Sequence, residues 1–453
     1  MPKRRWWLPR SKGAVAVQGR LAFVVRAERT DRAFKRAITA VTVVVLVGLA
    51  VGTSRGRYAV DLLAFRGRTL LDRMIGWPPD RRPYEEHLRV ERLRNAASAR
   101  QALAKVAKPG SALDIFLRTA GLDAKSAVIR WGNVDRSIVL SSAVFEPDDD
   151  RSYTLKPHVR SIWVIGLSFR YVLAMFLIPD TPEARAAAVR AGGRVVPTSV
   201  QTTNSWGCRG PEPDTTAAVR VMVLGDSMMQ GPLVGDSDTP PARLQAHLSK
   251  VLAAPVSVLN TGHIGYSVEQ YDKTLRALGD RFRPHFVVIS ICGNDFGDRS
   301  VPANWVEGEY WLDRILDYCN QRQCQFLLVP VPGQTVLLGR RNLDEYQAPV
   351  NRIFKRGGGR FVDPLEAFTD ALFRLKNEGL RTGVPNTDPF FNVQTMGDYH
   401  FSALGADLWA CEVARRLMLV WECEVLNQTP APEPVVRHAH SAHPPVAADE
   451  PPP

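Results

Sequence analysis

The sequence predicts an α/β protein, a three-layer α/β/α sandwich built on a parallel sheet. Two observations lead there. At 453 residues, with 45% apolar and 23% charged residues, the chain has the length and composition of a folded protein with one large domain plus appendages, or two domains. From about Asn204 onward, short apolar runs alternate with longer helical stretches. Strands alternating with helices imply a parallel sheet covered on both faces.

The runs predicted as strands are Val219–Leu224, Val256–Asn260, Phe286–Cys292, Gln325–Val331 and a short fifth, Arg360–Val362. Helices are expected near Pro241–Leu252, Val268–Leu278, Tyr310–Gln321 and Leu343–Phe354, with an amphipathic helix over Leu404–Val420 closing the domain. Right-handed crossovers place the loops after the strands along one edge, where sites in open α/β sheets form.

Upstream of this region the pattern is less regular. Tyr84 to Lys108 is rich in Ala, Leu, Glu and Arg and favours helix. Ser137 to Val144 alternates weakly, as a strand would. Ile162 to Ile178 is apolar but carries Arg170 at its centre, which argues against a membrane span and for a partly buried or interfacial segment. Residues 54–150 form a partly helical region without a readable purpose, and residues 426–453 a Pro/Ala-rich tail lacking the apolar surface to offset ordering entropy. Three histidines in the tail read as solvated rather than as a metal site.

The formal charge of +12 is unevenly placed. Basic residues from Lys3 to Arg36 crowd residues 1–36, directly before the uncharged run Ala37–Thr53. A run of this length sits at the short end of the roughly 17–25 residues that span a bilayer. The denser positive charge on its amino-terminal side predicts a single-pass anchor, with residues 1–36 cytoplasmic and the main body periplasmic or extracellular. Ala50-Val51-Gly52 offers the rival reading of a cleaved signal peptide, against which the basic lead is longer than a usual n-region. The basic lead is then a topology signal, and no nucleic-acid partner is expected.

Six cysteines occur and no C-x-x-C pair, so zinc and redox motifs have little support. Cys292 reads as a packed thiol in a strand. Cys319 and Cys324 flank a short loop, and Cys411 and Cys423 flank most of a helix. In a periplasmic or extracellular body some of these can pair.

Four features fall at strand ends or beside the last helix. Gly225-Asp226-Ser227 follows the first strand, where Gly225 permits a tight turn and Ser227 can present its hydroxyl and its own N–H at a helix start. The same tripeptide recurs at Gly235-Asp236-Ser237 with no strand before it, which reads as a surface turn. Asn260-Thr-Gly262-His-Ile-Gly265 follows the second strand; alone it would be a plain strand-to-helix turn. Gly293-Asn294-Asp295 follows the third, where Asn294 offers a neutral N–H donor to an oxyanion or simply caps a turn. Asp398-Tyr399-His400 precedes the last helix, a carboxylate and a histidine suited to general-base work or to an ordinary polar turn. His400 outranks His263 as a base because it alone has an adjacent acid. His285 reads as structural and His247 as exposed.

Taken in order, these blocks resemble the SGNH hydrolase superfamily, the GDSL esterases and lipases, in Ser227, Gly265, Asn294 and His400. Asn204-Ser-Trp-Gly207-Cys-Arg-Gly210 and Tyr153-Thr-Leu-Lys-Pro157 resemble the lead before the serine block in secreted or anchored members. The resemblance covers about residues 204–425, with a looser extension to about 150, so that 151–425 reads as the hydrolase domain. It implies a flavodoxin-like SGNH hydrolase fold, with Ser227 as nucleophile, His400 as base and Asp398 as its orienting acid. The N–H groups of Ser227 and Gly265, with the Asn294 amide, would form the oxyanion hole. No cofactor or metal is implied.

Two positions depart from the family pattern. The last block is usually spaced Asp-x-x-His, one residue longer than here, which leaves open another carboxylate or a backbone carbonyl as the group that orients the ring. Met228-Met229-Gln230 stands where many members carry Phe-Thr or Leu-Thr, a change expected to alter the pocket. The expected function is a serine esterase acting on an ester, such as a short acyl group on carbohydrate or a lipid. The alternatives are an O-acyltransferase acting on an extracytoplasmic polysaccharide and a non-catalytic glycan-binding or assembly protein. Oligomeric state is not readable from the sequence.

Overall fold

A computed structural model of the chain describes residues 96–131, 137–167, 175–292, 295, 302–333, 337, 360–378, 389–391 and 400–428. The chain divides into two units, Met1–Arg94 and Asn95–Pro453, and every described residue lies in the second. The predicted anchor, the tail beyond residue 428 and the helix expected over Leu343–Phe354 lie outside the described residues. Among the described residues no helix is long and apolar enough to cross a membrane.

The centre of the molecule is a four-stranded sheet. Its strands are β9 (Val219–Leu224), β10 (Val256–Asn260), β11 (Phe286–Ile291) and β12 (Gln325–Pro330), ordered β10-β9-β11-β12 and all parallel. The short fifth run adds only a parallel bridge, Leu328 to Phe361. In order of appearance the strands therefore run second, first, third, fourth and then this bridge, the doubly wound order of flavodoxin-like folds. Each strand is buried on both faces, β11 along its whole length, which explains the unbroken β-branched text.

Side chains alternate between the two faces with the period of a strand. Met222, Leu224, Leu259, Val287, Ile289 and Leu328 pack on one side under α5 (Val268–Phe282) and α6 (Pro302–Gln321). Val221, Val223, Val258, Val288, Leu327 and Val329 pack on the other under α4 (Pro240–Val251), α7 (Leu365–Asn377) and α8 (Ala403–Gln428). Helix α7 carries no strong sequence signal and was not expected. Where text preceded a helix start, local chemistry set it: Thr239 caps α4 by accepting from the Ala242 N–H, with Pro240 in its first turn.

The lead is a second, mainly antiparallel region. The apolar stretch Ile162–Ile178 is not one segment. It forms two strands, β5 (Arg160–Ile165) and β6 (Met175–Pro179), paired antiparallel from Ser161–Pro179 to Ile165–Met175. Arg170 lies outside the described residues. The weakly alternating run becomes β2 (Ser137–Leu140), paired with β1 (Val128–Trp131). The hairpin of β3 (Phe145–Asp148) and β4 (Ser152–Leu155) sends Phe145, Tyr153 and Leu155 into the cluster that also holds Met222 and Leu259, so the lead packs on the sheet itself.

Candidate active site

The strand order reverses at β9, between β10 and β11, and open α/β sheets bind ligands at the carboxyl ends of strands at such a switch point. Ser227 stands there. It opens the short helix α3 (Ser227–Gln230), capped by Asp226, whose carboxylate accepts the Met228 N–H at 2.9 Å. The Met229 and Gln230 N–H groups both reach the Asp226 carbonyl, at 3.2 and 3.0 Å. Ser227 is 9% exposed, and neither its N–H nor its hydroxyl enters a hydrogen bond among the described residues.

Helix α3 leaves no room for a side chain at Gly262. A Cβ on Gly262 would stand 2.4 Å from the Gln230 nitrogen and 2.7 Å from the Met229 carbonyl carbon. Asn260 ties the same two segments, donating from Nδ2 to the Met229 carbonyl at 2.9 Å and accepting the Gly262 N–H at 3.0 Å. In the Met228-Met229-Gln230 run, two of the three side chains lie in the interior. Met229 and Gln230 are fully buried, and Gln230 Oε1 accepts the Ile264 N–H. These side chains fasten the serine block to the glycine block from beneath.

Gly265 sits in a turn closed by the Tyr266 N–H on the His263 carbonyl at 3.1 Å. With φ 71° at the third position, the turn demands glycine there. The closing bond uses the Tyr266 N–H and leaves the Gly265 N–H to other partners. His263 does not line a pocket. It is 2% exposed, stacks on Tyr266 with ring centroids 4.6 Å apart, and has both ring nitrogens occupied. Nδ1 donates to the Thr261 carbonyl at 3.0 Å and Nε2 accepts the Leu155 N–H at 3.3 Å. Burial pushes its pKa down to about 4, so the ring is neutral. Tyr153 and Tyr266 exchange further bonds across the same seam, Tyr153 with the Ile264 carbonyl and Tyr266 with the Tyr153 carbonyl.

Gly293 and Asn294 lie outside the described residues; Cys292 and Asp295 are described. The Asp295 N–H donates to the Cys292 carbonyl at 3.2 Å, and Asp295 Oδ2 accepts the Cys292 N–H at 2.6 Å. Tyr271 from α5 donates to Asp295 Oδ1 at 2.6 Å, and burial beside that carboxylate holds the phenol protonated. Cys292 is not simply a packed thiol. It is half-buried past the strand end, and its thiol donates to Asp226 Oδ2 at 2.9 Å. The Asp226, Cys292 and Asp295 ligand atoms lie within 4.8 Å of one another. Their bonds to Met228, Tyr271, the Cys292 N–H and each other employ them in joining the first strand end to the third.

His400 is half-buried at the last strand-to-helix junction. Phe401 beside it is 1% exposed and bridges Phe391, while Ser402 caps α8, its Oγ accepting the Gly405 N–H at 3.2 Å. Phe401 belongs to the same apolar cluster as Met228 and Met229, so the residues following His400 and Ser227 share one core. Asp398 lies outside the described residues. His247 is not free on the surface but bonds Asp407 at 3.0 Å. His285 is structural, Nδ1 accepting the Arg220 N–H at 3.1 Å.

One device escaped the sequence. Arg209, in the lead, is 2% exposed and reaches over the far end of α3. Its guanidinium donates to the carbonyls of Gln230 (2.7 Å), Gly231 (2.5 Å) and Val234 (2.7 Å), and to Asp236 Oδ1 at 2.8 Å. Asp236 also accepts the Thr202 N–H at 2.9 Å and hydroxyl at 2.6 Å. The second Gly-Asp-Ser copy is thus a surface turn, as expected, but its aspartate is the counter-ion of the buried arginine that holds the first copy in place.

Residues 223–408 match the family model of the GDSL-like Lipase/Acylhydrolase family. No curated protein is detectably similar to the chain. Among solved structures, similarity extends to a lipase/acylhydrolase from Enterococcus faecalis, at 19% identity over 44% of this chain and 95% of that one, with a TM-score of 0.33. An acetyl xylan esterase matches at 14% identity over 45% of this chain and 99% of that one, TM-score 0.32. An acetylxylan esterase from Geobacillus stearothermophilus matches at 18% identity over 44% and 94%, TM-score 0.29. With the serine, glycine and histidine blocks all inside the matched span, residues 223–408 are a domain of the GDSL-like lipase/acylhydrolase family, and the protein is an ester-hydrolysing enzyme.

Proposed function

We propose that Ser227 is the nucleophile of a serine esterase that works through an acyl-enzyme. The observation that carries this reading is local. At the switch point of the sheet, a serine heads a helix with its hydroxyl and N–H outside every hydrogen bond of the described residues, while the Met228, Met229 and Gln230 N–H groups that follow it are all engaged. His400 takes the Ser227 proton as Oγ attacks the ester carbonyl. The oxyanion is held by the Ser227 and Gly265 N–H groups and the Asn294 amide, each such donor being worth about 3–4 kcal/mol in the transition state. His400, oriented by Asp398, then gives its proton to the leaving alcohol, and water reverses the sequence to release the acid.

The substrate is assigned, by analogy with the family, as a short acyl ester on carbohydrate. Residues 37–53 are assigned as a membrane anchor with the hydrolase domain outside the cytoplasm, a reading supported by the charge asymmetry around that run. A reporter fused after Thr53 should be active only outside the cytoplasm; a cytoplasmic signal overturns the orientation.

The chemistry is tested with p-nitrophenyl acetate and the variants Ser227→Ala and His400→Ala. Both should lose at least about 10³-fold in kcat, and a fluorophosphonate should label the wild type but not Ser227→Ala. Equal turnover in all three proteins would refute the assignment. Added sugar hydroxyls that capture the acyl group in preference to water would identify a transferase using the same residues.

A further inference from the structure

Helix α6 ends and β12 begins across a loop bracketed by two of the six cysteines. The backbone there has a definite form. Gln323 takes a left-handed φ of 54°. Its N–H donates to the Asn320 carbonyl at 3.3 Å, and the Cys324 N–H reaches back to the Cys319 carbonyl at 3.0 Å. These two bonds around a left-handed residue make a Schellman helix terminus. That motif lays the side chain two places past the cap against the one three places before the helix end. An apolar pair usually meets there. In this chain the two positions are Cys324 and Cys319.

We propose that Cys319 and Cys324 are a redox pair that closes into an intramolecular disulfide by exchange with a small-molecule disulfide. The helix terminus therefore brings the two side chains together, and they are 0% and 6% exposed. Cys324 reacts first, because it is the less buried and the neighbouring Cys319 thiol favours its thiolate, whereas Cys324 and burial hold the Cys319 thiol protonated. The Cys324 thiolate attacks one sulfur of the external disulfide, forming a mixed disulfide and expelling one thiolate, which takes up the proton Cys324 lost. Cys319 then attacks the Cys324 sulfur, expels the second thiolate and passes it its own proton. Two protein thiols are oxidised by two electrons, and one external disulfide is reduced to two thiols. The other described cysteines have different settings: Cys208 is sealed in the core with its thiol pushed up to about 12, and Cys411 is exposed on α8.

The test uses the full-length chain at stepped ratios of oxidised to reduced glutathione. Incubations extend to temperatures near the thermal midpoint, so that burial does not limit access. After acid quench, free thiols are alkylated in denaturant and peptides are mapped by mass. The expected product is a peptide spanning both cysteines, unalkylated and about 2 Da lighter than its dithiol form. It should appear at glutathione ratios where Cys411 is still alkylated. In Cys319→Ser and Cys324→Ser the remaining thiol should instead carry glutathione or the alkyl group. If Cys319 and Cys324 stay alkylatable in the wild type at full oxidation near the midpoint, or each carries glutathione without joining, the proposal fails. Neither outcome depends on which residue performs ester hydrolysis.

Discussion

Replacing Gly262 with alanine should cripple turnover while leaving a folded enzyme. The added Cβ would lie 2.4 Å from the Gln230 nitrogen, 2.7 Å from the Met229 carbonyl carbon and 2.7 Å from Met229 Cβ. Ordinary contact begins at 3.4 Å, so the gap must open by 3.4 − 2.4, about 1 Å. Two of the three atoms are backbone and cannot rotate aside, so α3 itself must move and carry Ser227 with it. Overpacking of this size costs about 1–3 kcal/mol of stability. A 1 Å error in the reacting atoms costs on the order of 10²-fold in rate. Gly225→Ala is the control. Its nearest clash is with the Met229 side chain, Cγ at 2.2 Å and Cβ at 2.8 Å, and Cγ can swing to another rotamer. We expect Gly262→Ala to lower kcat for p-nitrophenyl acetate about 100-fold with KM little changed, and Gly225→Ala to lower it several-fold less. A folded Gly262→Ala enzyme with kcat within about twofold of wild type would refute the claim that this contact sets the position of the serine.

Asp236→Asn removes the charge opposite buried Arg209 but keeps an oxygen that can accept its hydrogen bond. A loss of about 2 kcal/mol is expected, seen as a thermal midpoint lower by about 4–8 °C. Asp238→Asn disturbs a surface pair with Arg243 and a charge that acts on Arg209 more weakly than Asp236 does, and should shift the midpoint by no more than about 2 °C; equal losses in the two variants would refute the Arg209–Asp236 pair as the source of the effect. His263 makes the stability pH-dependent. Unfolded, it takes up a proton below its ordinary value of 6.5, whereas the folded ring refuses one until about 4. The unfolded state therefore binds more protons in that window, and stability falls as pH drops from 6.5 to about 4, by about 3 kcal/mol in all. Denaturant titrations across that range should show a shallower pH slope for His263→Gln than for wild type, by about one proton. Parallel slopes would show that His263 titrates normally.

The sheet was legible in the sequence because its strands are apolar on both faces and separated by whole helices, so that neither period nor register was in doubt. Val256–Asn260 begins and ends as the text implies. The lead was harder, since β5 and β6 each bury one run and the polar break between them is short; together they mimic one long apolar segment. That Ser227 and Gly265 lie just past strand ends was legible because glycines follow each apolar run. Arg209 and Asp236 were not. Their pairing crosses 27 residues, and an arginine in a polar run is indistinguishable in sequence from a solvated one. His263 was ambiguous for the opposite reason. A histidine between two site glycines invites a catalytic reading, and only the Leu155 N–H, 108 residues away, reveals that both ring nitrogens are occupied.

These long-range contacts account for how a four-residue helix can exist at all. Helix nucleation is unfavourable, and a single turn has almost no intrinsic stability. In α3 the missing internal bonds are supplied from outside. Asp226 serves the Met228, Met229 and Gln230 N–H groups. Asn260 serves the Met229 carbonyl, Arg209 the carbonyls of Gln230 and Gly231, and the Gly231 N–H the Ser227 carbonyl at 2.9 Å. A buried donor left unsatisfied costs about 1–3 kcal/mol, so the fold can tolerate few of them. With the Met228, Met229 and Gln230 N–H groups satisfied, that cost falls on the Ser227 N–H, beside the Ser227 hydroxyl. Under the proposed mechanism, an oxyanion forming at this point would meet a donor whose desolvation the fold has already met, which is where binding energy raises kcat rather than lowering KM.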